Sequence, residues 1–380
     1  MASPPSCAVL WTLFLLLIPT GSWLKGAECR FRRQAEKDVD WPPATFFIFG
    51  DSYFDAGNNN YINTSTLDQA NFLPYGETFF HFPTGRFSDG RLISDFIAEQ
   101  AGLPLVPPFL QPGAEENCYG NGVNFASAGA GALVETFQGW VISLRRQLSN
   151  YRKVERLWRH ELGKREAKRA MSRAIYLFSI GTNDYFTLFL TNSTILPSSS
   201  HSSYVAMVIA NLTTAITEVY GGGGRKFGFL NLGPLGCLPG LRILQPEDNG
   251  GCLEEASRLA ELHNEALSKM LRRLASHLKG FKYSLYDFNS HARQLMNEPS
   301  KYGFKEGRTA CCGTGRFRGA YSCGGRRPVK KFELCENPNE YVFWDSFHLT
   351  ERAYNHMADQ MWAGAPPLVK PHNLRHLFRN

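Results

Sequence analysis

Apolar residues along this chain follow two alternating rhythms. Short runs rich in β-branched and aromatic residues fall at 44–49, 123–126, 174–180, 226–232 and 281–286. Between them lie longer stretches, at 90–100, 140–172, 203–220, 252–278 and 350–361, in which apolar residues recur every three or four positions. The first rhythm predicts buried strands and the second amphipathic helices. In 140–172, Val141, Leu144, Leu148, Tyr151 and Val154 make one stripe. Such alternation predicts an α/β fold, a parallel sheet covered on both faces. Ligands then bind at the carboxyl ends of the strands. The four glycines at 221–224 read as a helix terminator before the fourth strand. A cysteine- and glycine-rich insertion near 309–339 has little periodicity and reads as a disulfide-held loop.

Polar, glycine-rich segments follow the first three predicted strands. Ser52 lies in Phe-Gly-Asp-Ser-Tyr-Phe-Asp-Ala-Gly-Asn-Asn, on a turn that can expose its hydroxyl. A serine hydroxyl attacks only when a base takes its proton. Gly129, in Asn-Phe-Ala-Ser-Ala-Gly-Ala-Gly, can present its N–H to a developing oxyanion, and Asn183, in Gly-Thr-Asn-Asp, can donate from its side-chain amide. Near the other end, Trp-Asp-Ser-Phe-His at 344–348 sets Asp345 three residues before His348. That spacing lets Asp345 orient the imidazole while His348 serves as base. Each segment alone has a plainer reading as a turn or loop. Their joint occurrence predicts a serine hydrolase. His81, His263, His291 and His356 lack such surroundings and read as surface or core residues.

Composition narrows the compartment. An apolar run at 9–18, broken by Pro19 and Gly21, is too short to span a membrane comfortably. It predicts a secretory signal within 1–27, cleaved somewhere in 22–27, with a retained N-terminal anchor as the alternative. Residues 28–380 would then form one domain. Of nine cysteines, eight remain after loss of Cys7, which suits disulfides of undetermined connectivity. No Cys-x-x-Cys pair suggests zinc, and no metal or cofactor is expected. Sequons at Asn63, Asn192 and Asn211 agree with the secretory route. The net charge of +7 is concentrated at 145–173, where eleven Lys and Arg face three Glu. That segment reads first as a solvated helix face, and otherwise as a dock for an anionic surface such as pectin or acidic lipid. Nucleic acid is not an expected partner.

The four chemical segments, in this order, resemble the GDSL (SGNH-hydrolase) family. Phe-Pro-Thr-Gly-Arg-Phe-Ser-Asp-Gly-Arg at 82–91, Leu-Gly-Pro-Leu-Gly-Cys at 232–237 and Cys-Cys-Gly-Thr-Gly at 311–315 look like its plant secreted branch. The stretch after Asn124 looks like the defence-associated lipases. The resemblance spans about 44–365. It implies a three-layer α/β/α fold with a small parallel sheet, and cleavage of acyl or lipid esters through an acyl-serine intermediate. Ser52, Asp345 and His348 would be the catalytic residues, with Ser52, Gly129 and Asn183 around the oxyanion. Transfer of the acyl group to an alcohol, or an idle defence-associated binding scaffold, are the alternatives. Tyr53 stands where the family pattern has leucine, which implies altered packing near the pocket and not lost activity. Phe79, Phe80, Phe82 and Phe87 would either line an acyl site or build the core.

Overall fold

The computed structural model describes residues 45–115, 118–190, 201–245, 250–325 and 327–380. The predicted signal, Cys7, Cys29 and Asn192 lie outside these residues. The strands are β1 Phe46–Gly50, β2 Gly122–Asn124, β3 Ile175–Ser179, β4 Lys226–Leu230, β5 Lys282–Tyr286, β6 Glu306–Ala310, β7 Cys312–Gly313, β8 Glu333–Leu334, β9 Tyr341–Phe343 and β10 Val369–Pro371. The helices are α1 Ile93–Gln100, α2 Leu144–Arg173, α3 Thr182–Leu190, α4 His201–Gly222, α5 Pro239–Arg242, α6 Glu254–His277, α7 Phe288–Asn297, α8 Glu351–Ala363 and α9 Leu374–Arg379.

The central sheet runs β10-β5-β4-β3-β1-β2. Its strands are parallel except β10, which pairs antiparallel with β5. The whole of β1, Phe-Phe-Ile-Phe-Gly, is buried, as a parallel strand covered on both faces requires. Register places Phe47, Tyr176 and Phe227 in one row and Phe49, Phe178 and Phe229 in the next. Neighbouring rings stack along both rows at centroid distances of 4.7 to 5.7 Å. Tyr151 and Trp158 of α2 close over Phe47 on this face, and α2, α4 and α6 pack side by side. On the other face α1, α8 and α9 lie together. Gly228 permits the close approach of α9, because a Cβ there would come within 2.9 Å of both Leu177 and Leu374. The architecture is three layers, α/β/α.

Each predicted strand and helix has its counterpart, displaced by a few residues at the ends. Of the stripe, Leu144, Leu148, Tyr151 and Val154 are buried in α2, while Val141 precedes the helix and is half-buried; most basic residues of α2 are exposed. Gly163, at φ +79°, interrupts that helix. α4 ends within the glycine run, and Gly223 follows at φ +126°. Residues of α3, α7, α9 and β10 form elements that the periodicity did not announce, because each is short or continues an apolar run. The insertion is also more ordered than a loop. β7 and β8 pair antiparallel inside it, and the disulfides Cys311–Cys335 and Cys312–Cys323 cross it. Cys237 pairs with Cys252, and Cys118 is likewise disulfide-bonded.

Candidate active site

Because β1, β2 and β3 are parallel neighbours, the segments leaving them meet at one sheet edge. After β1 the backbone makes a single helical turn, with the N–H of Phe54 and of Asp55 donating to the Asp51 carbonyl at 3.1 and 2.9 Å. Asp51 Oδ1 accepts from the Tyr53 N–H at 3.1 Å and caps this turn. Gln147 of α2, fully buried, grips Gly50 from both sides: its Oε1 accepts from the Gly50 N–H at 3.0 Å and its Nε2 donates to the Gly50 carbonyl at 2.8 Å. The end of β1 is thereby fixed, and Ser52 with it.

The residues just after Ser52 brace the neighbouring loop. Asp55 accepts from the N–H of Gly57, Asn58 and Ala128. Asn58 donates to the carbonyls of Asn124 and Ala126, and Asn59 to those of Asp68 and Ala128. This network carries Gly129 to the pocket at φ +78°. A Cβ there would strike Asp68 Oδ1 at 2.6 Å and Val141 at 2.8 Å, so both conformation and space demand glycine. Asn183, in the first turn of α3, donates to the Ala130 carbonyl at 2.9 Å. An amide has two N–H groups, so one remains to donate. Asp184 beside it accepts from the N–H of Ala132 and Leu133 and from the Thr136 hydroxyl, locking the same loop. Among the described residues no acceptor within the chain takes the N–H of Ser52 or of Gly129.

From the far end of the chain, β9 leads into Asp345 and His348, and the Thr350 cap starts α8 immediately afterwards. His348 Nε2 stands 2.8 Å from Ser52 Oγ. Its Nδ1 lies 2.8 and 3.0 Å from the two oxygens of Asp345. Asp345 Oδ1 also accepts from the N–H of Phe347 and of His348, each at 2.9 Å, and Oδ2 accepts from the Tyr75 hydroxyl at 2.6 Å. Burial would raise this carboxyl. The His348 charge and these hydrogen bonds outweigh it and hold Asp345 at about 2, ionised across the working range. Burial, opposed by the Tyr53 N–H, pushes Asp51 up to about 7. Near neutral pH Asp51 therefore carries only part of a carboxylate charge beside Ser52.

A cavity of about 600 Å³ opens over Ser52, Gly129, Asn183 and His348, a size suited to a small organic ligand. Leu67, Phe137, Trp140, Phe186, Leu190 and Phe347 give it apolar walls, and Asp68 with Thr64 and Ser65 a polar corner. Of the four phenylalanines in 79–87, only Phe87 lines it. Phe79 and Phe82 belong neither to the core nor to this cavity: they are 43% and 59% exposed. The guanidinium of Arg91 covers the Phe79 ring from 4.0 Å and so lets it remain at the surface. His263 and His291 are core residues bonded to the hydroxyls of Tyr185 and Tyr286, and burial lowers them to about 3 and about 4.

The chain matches the family described as GDSL-like Lipase/Acylhydrolase over residues 46–361. The chain belongs to the GDSL-like lipase/acylhydrolase family. It is 62% identical over 373 residues to GDSL esterase/lipase 5 of Arabidopsis thaliana, covering 97% of this chain and 95% of that protein. It is 53% identical over 336 residues to GDSL esterase/lipase 2 of the same plant, covering 88% and 89%. It is therefore a carboxylic-ester hydrolase of the GDSL serine type.

Tyr53, the residue at which this GDSL chain departs from its family pattern, ties the two halves of the site together. Its ring packs against Phe288, His348 and Tyr354, and its hydroxyl donates to the Phe347 carbonyl at 2.9 Å. Leucine would fill part of that space without the bond. Tyr53→Phe is expected to cost about 1 kcal/mol of stability in urea unfolding, with ester turnover within a few-fold of wild type. An unchanged midpoint would show that the bond contributes nothing net.

Several residues of this GDSL site carry no local signal. Gln147 lies on a helix face otherwise read as core stripe. Tyr75 and Arg327 are far from either motif in sequence. By contrast Asp55, Asn58 and Asn59 follow Ser52 directly. Their run of short side chains that bond backbone groups was a legible sign of loop bracing.

Proposed function

We propose that Ser52, His348 and Asp345 hydrolyse carboxylic esters through an acyl-serine intermediate. The observation that carries this is the unbroken hydrogen-bonded line from Ser52 Oγ through His348 to a buried, ionised Asp345, at the floor of a largely apolar cavity. His348 Nε2 takes the Ser52 proton as Oγ attacks the ester carbonyl, then passes it to the departing alcohol. Water, deprotonated by the same nitrogen, releases the acid and restores the serine. The N–H groups of Ser52 and Gly129 and the spare N–H of Asn183 stabilise the oxyanion in both halves. The apolar walls suit acyl or lipid esters.

The test is labelling of the secreted protein with a fluorophosphonate probe. Label is expected on the peptide containing Ser52, in wild type and not in His348→Ala. A folded wild type without label at Ser52 would overturn the assignment. Asn183→Ala is expected to lower kcat by roughly 10²- to 10³-fold with folding intact. A normal rate would confine Asn183 to bonding Ala130.

We place the protein in the secretory route as one catalytic domain after a signal at 1–27. The disulfides support this, since they persist in oxidising compartments. Asn63 and Asn211 are exposed, as glycan acceptors must be. The exposed Arg145, Arg146, Arg156, Lys164 and Lys168 of α2 have no carboxylate partner among the described residues, whereas Arg152 and Arg159 are paired. They support docking on an anionic surface. Retention on vesicles containing phosphatidic acid, lost at about 0.5 M salt, is expected. Equal retention on neutral vesicles would sink it.

A further inference from the structure

Arg327 is fully buried, an unusual place for a guanidinium. It comes from the insertion, between Cys323 and Cys335. Among the described residues no carboxylate touches it. Four of its N–H donors are spent on the carbonyls of Thr66 and Leu67 at 3.0 Å, that of Gln69 at 3.1 Å, and the Tyr75 hydroxyl at 3.2 Å. The fifth, on Nε, has no partner. Its face lies 3.7 Å from the centre of the Tyr321 ring. A buried charge so weakly answered calls for a counter-charge. Asp345 supplies one, a single hydroxyl away, because Tyr75 passes its proton-side bond to Asp345 Oδ2 at 2.6 Å.

We propose that Arg327 is a positioning residue of the active site. Acting through Tyr75, it holds Asp345 as an oriented carboxylate against His348, which makes the disulfide-held insertion part of the catalytic apparatus. This rests on the assignment of Ser52, His348 and Asp345 made above.

Three observations support it. A hydroxyl that accepts from a charged N–H is a stronger donor through its own proton. Burial, reinforced by the Asp345 charge, raises Tyr75 well above the usual tyrosine value, so it stays a donor. The insertion is also anchored just before the acid, since the N–H of Cys311 and Cys312 donate to the carbonyls of Phe343 and Trp344 at 2.9 and 2.7 Å. The same guanidinium clamps 66–69, and Thr66, Leu67 and Asp68 line the cavity. One side chain thus joins a pocket wall to the acid. The titratable groups around it are Tyr75, Tyr321, Asp68 and Asp345. Burial raises Asp68 to about 7 although the Arg327 charge opposes this, so Asp345 is the carboxylate kept ionised.

The test is hydrolysis of a soluble p-nitrophenyl ester as a function of pH, by the full secreted chain carrying Arg327→Met, Arg327→Lys, Tyr75→Phe or Tyr75→Phe with Arg327→Met. Arg327→Met is expected to lower kcat by roughly 10- to 100-fold, the effect of outer-shell partners elsewhere, with KM little changed. Losing a positive charge behind the pair favours the protonated imidazole, so the acid limb of the kcat/KM profile moves up by about half a pH unit or more. Arg327→Lys should restore part of that movement. The double variant should be no worse than the poorer single one. A folded Arg327→Met with the wild-type acid limb, or losses that add in the double variant, would overturn the proposal. Should Arg327→Met not fold, Tyr75→Phe decides: wild-type kcat and limb there would overturn it equally. Fluorophosphonate labelling separates the two levels. Wild type unlabelled at Ser52 removes the underlying assignment. Label at Ser52 in wild type, with unshifted variants, removes the role of Arg327 alone.

Discussion

Ser52→Ala is expected to lower ester turnover by on the order of a millionfold, to the residual rate that oxyanion donors and binding alone supply. The size follows from what the substitution leaves behind. His348 Nε2 would lose the only side-chain oxygen within its reach in the described residues, and the acyl group would have no atom to join. The fold has no reason to suffer. Ser52 is small, sits on a turn held by Asp51 and Gln147 through other residues, and its Oγ bonds His348 alone. Stopped assays on protein with an unchanged unfolding midpoint check this. Turnover within tenfold of wild type would remove Ser52 from the chemistry and require another nucleophile in the cavity.

The second large effect is expected from Asp345→Asn, at about 10⁴-fold in kcat. Asp345 Oδ1 accepts two backbone N–H groups, from Phe347 and His348. An asparagine would keep its carbonyl oxygen there, since only that atom accepts. Its amide would then occupy the place of Oδ2, facing the Tyr75 hydroxyl and His348 Nδ1. That N–H competes with the retained Oδ1 for Nδ1, and wherever it prevails the imidazole carries its proton on Nε2. That tautomer cannot take the Ser52 proton. The loss is therefore one of protonation pattern and not of position, and KM should change little. The measurement is kcat and KM near neutral pH, with an NMR spectrum showing the imidazole proton moved from Nδ1 to Nε2. Wild-type turnover in a correctly folded Asp345→Asn would mean that the carboxylate charge and tautomer control are unnecessary.

Much of the architecture was legible because its signals are local. Period-two and period-3.6 apolar patterns are properties of a few neighbouring residues, and they outlined the five parallel strands and the long helices. The short elements were not legible. α3 begins where an asparagine turn was expected, because a strand end, a glycine at φ +128° and a helix start follow one another within four residues. Hydrophobicity alone points the phenylalanines at 79 and 82 to core or pocket. Arg91, further along the same stretch, comes back over Phe79, and apolar periodicity carries no sign of that pairing.

The family, the strand–helix rhythm and the residue types that meet at the pocket could all be read from the chain alone. Those are carried by contiguous blocks whose spacing reflects one turn of backbone. Which residues support them emerges only from the folded arrangement. Gln147 reaches Gly50 across 97 positions, Tyr75 reaches Asp345 across 270, and Arg327 reaches Tyr75 across 252. Such partners are chosen by which elements the sheet order and the disulfides bring side by side. A buried polar group must then find its hydrogen bond among whatever is within about 3 Å.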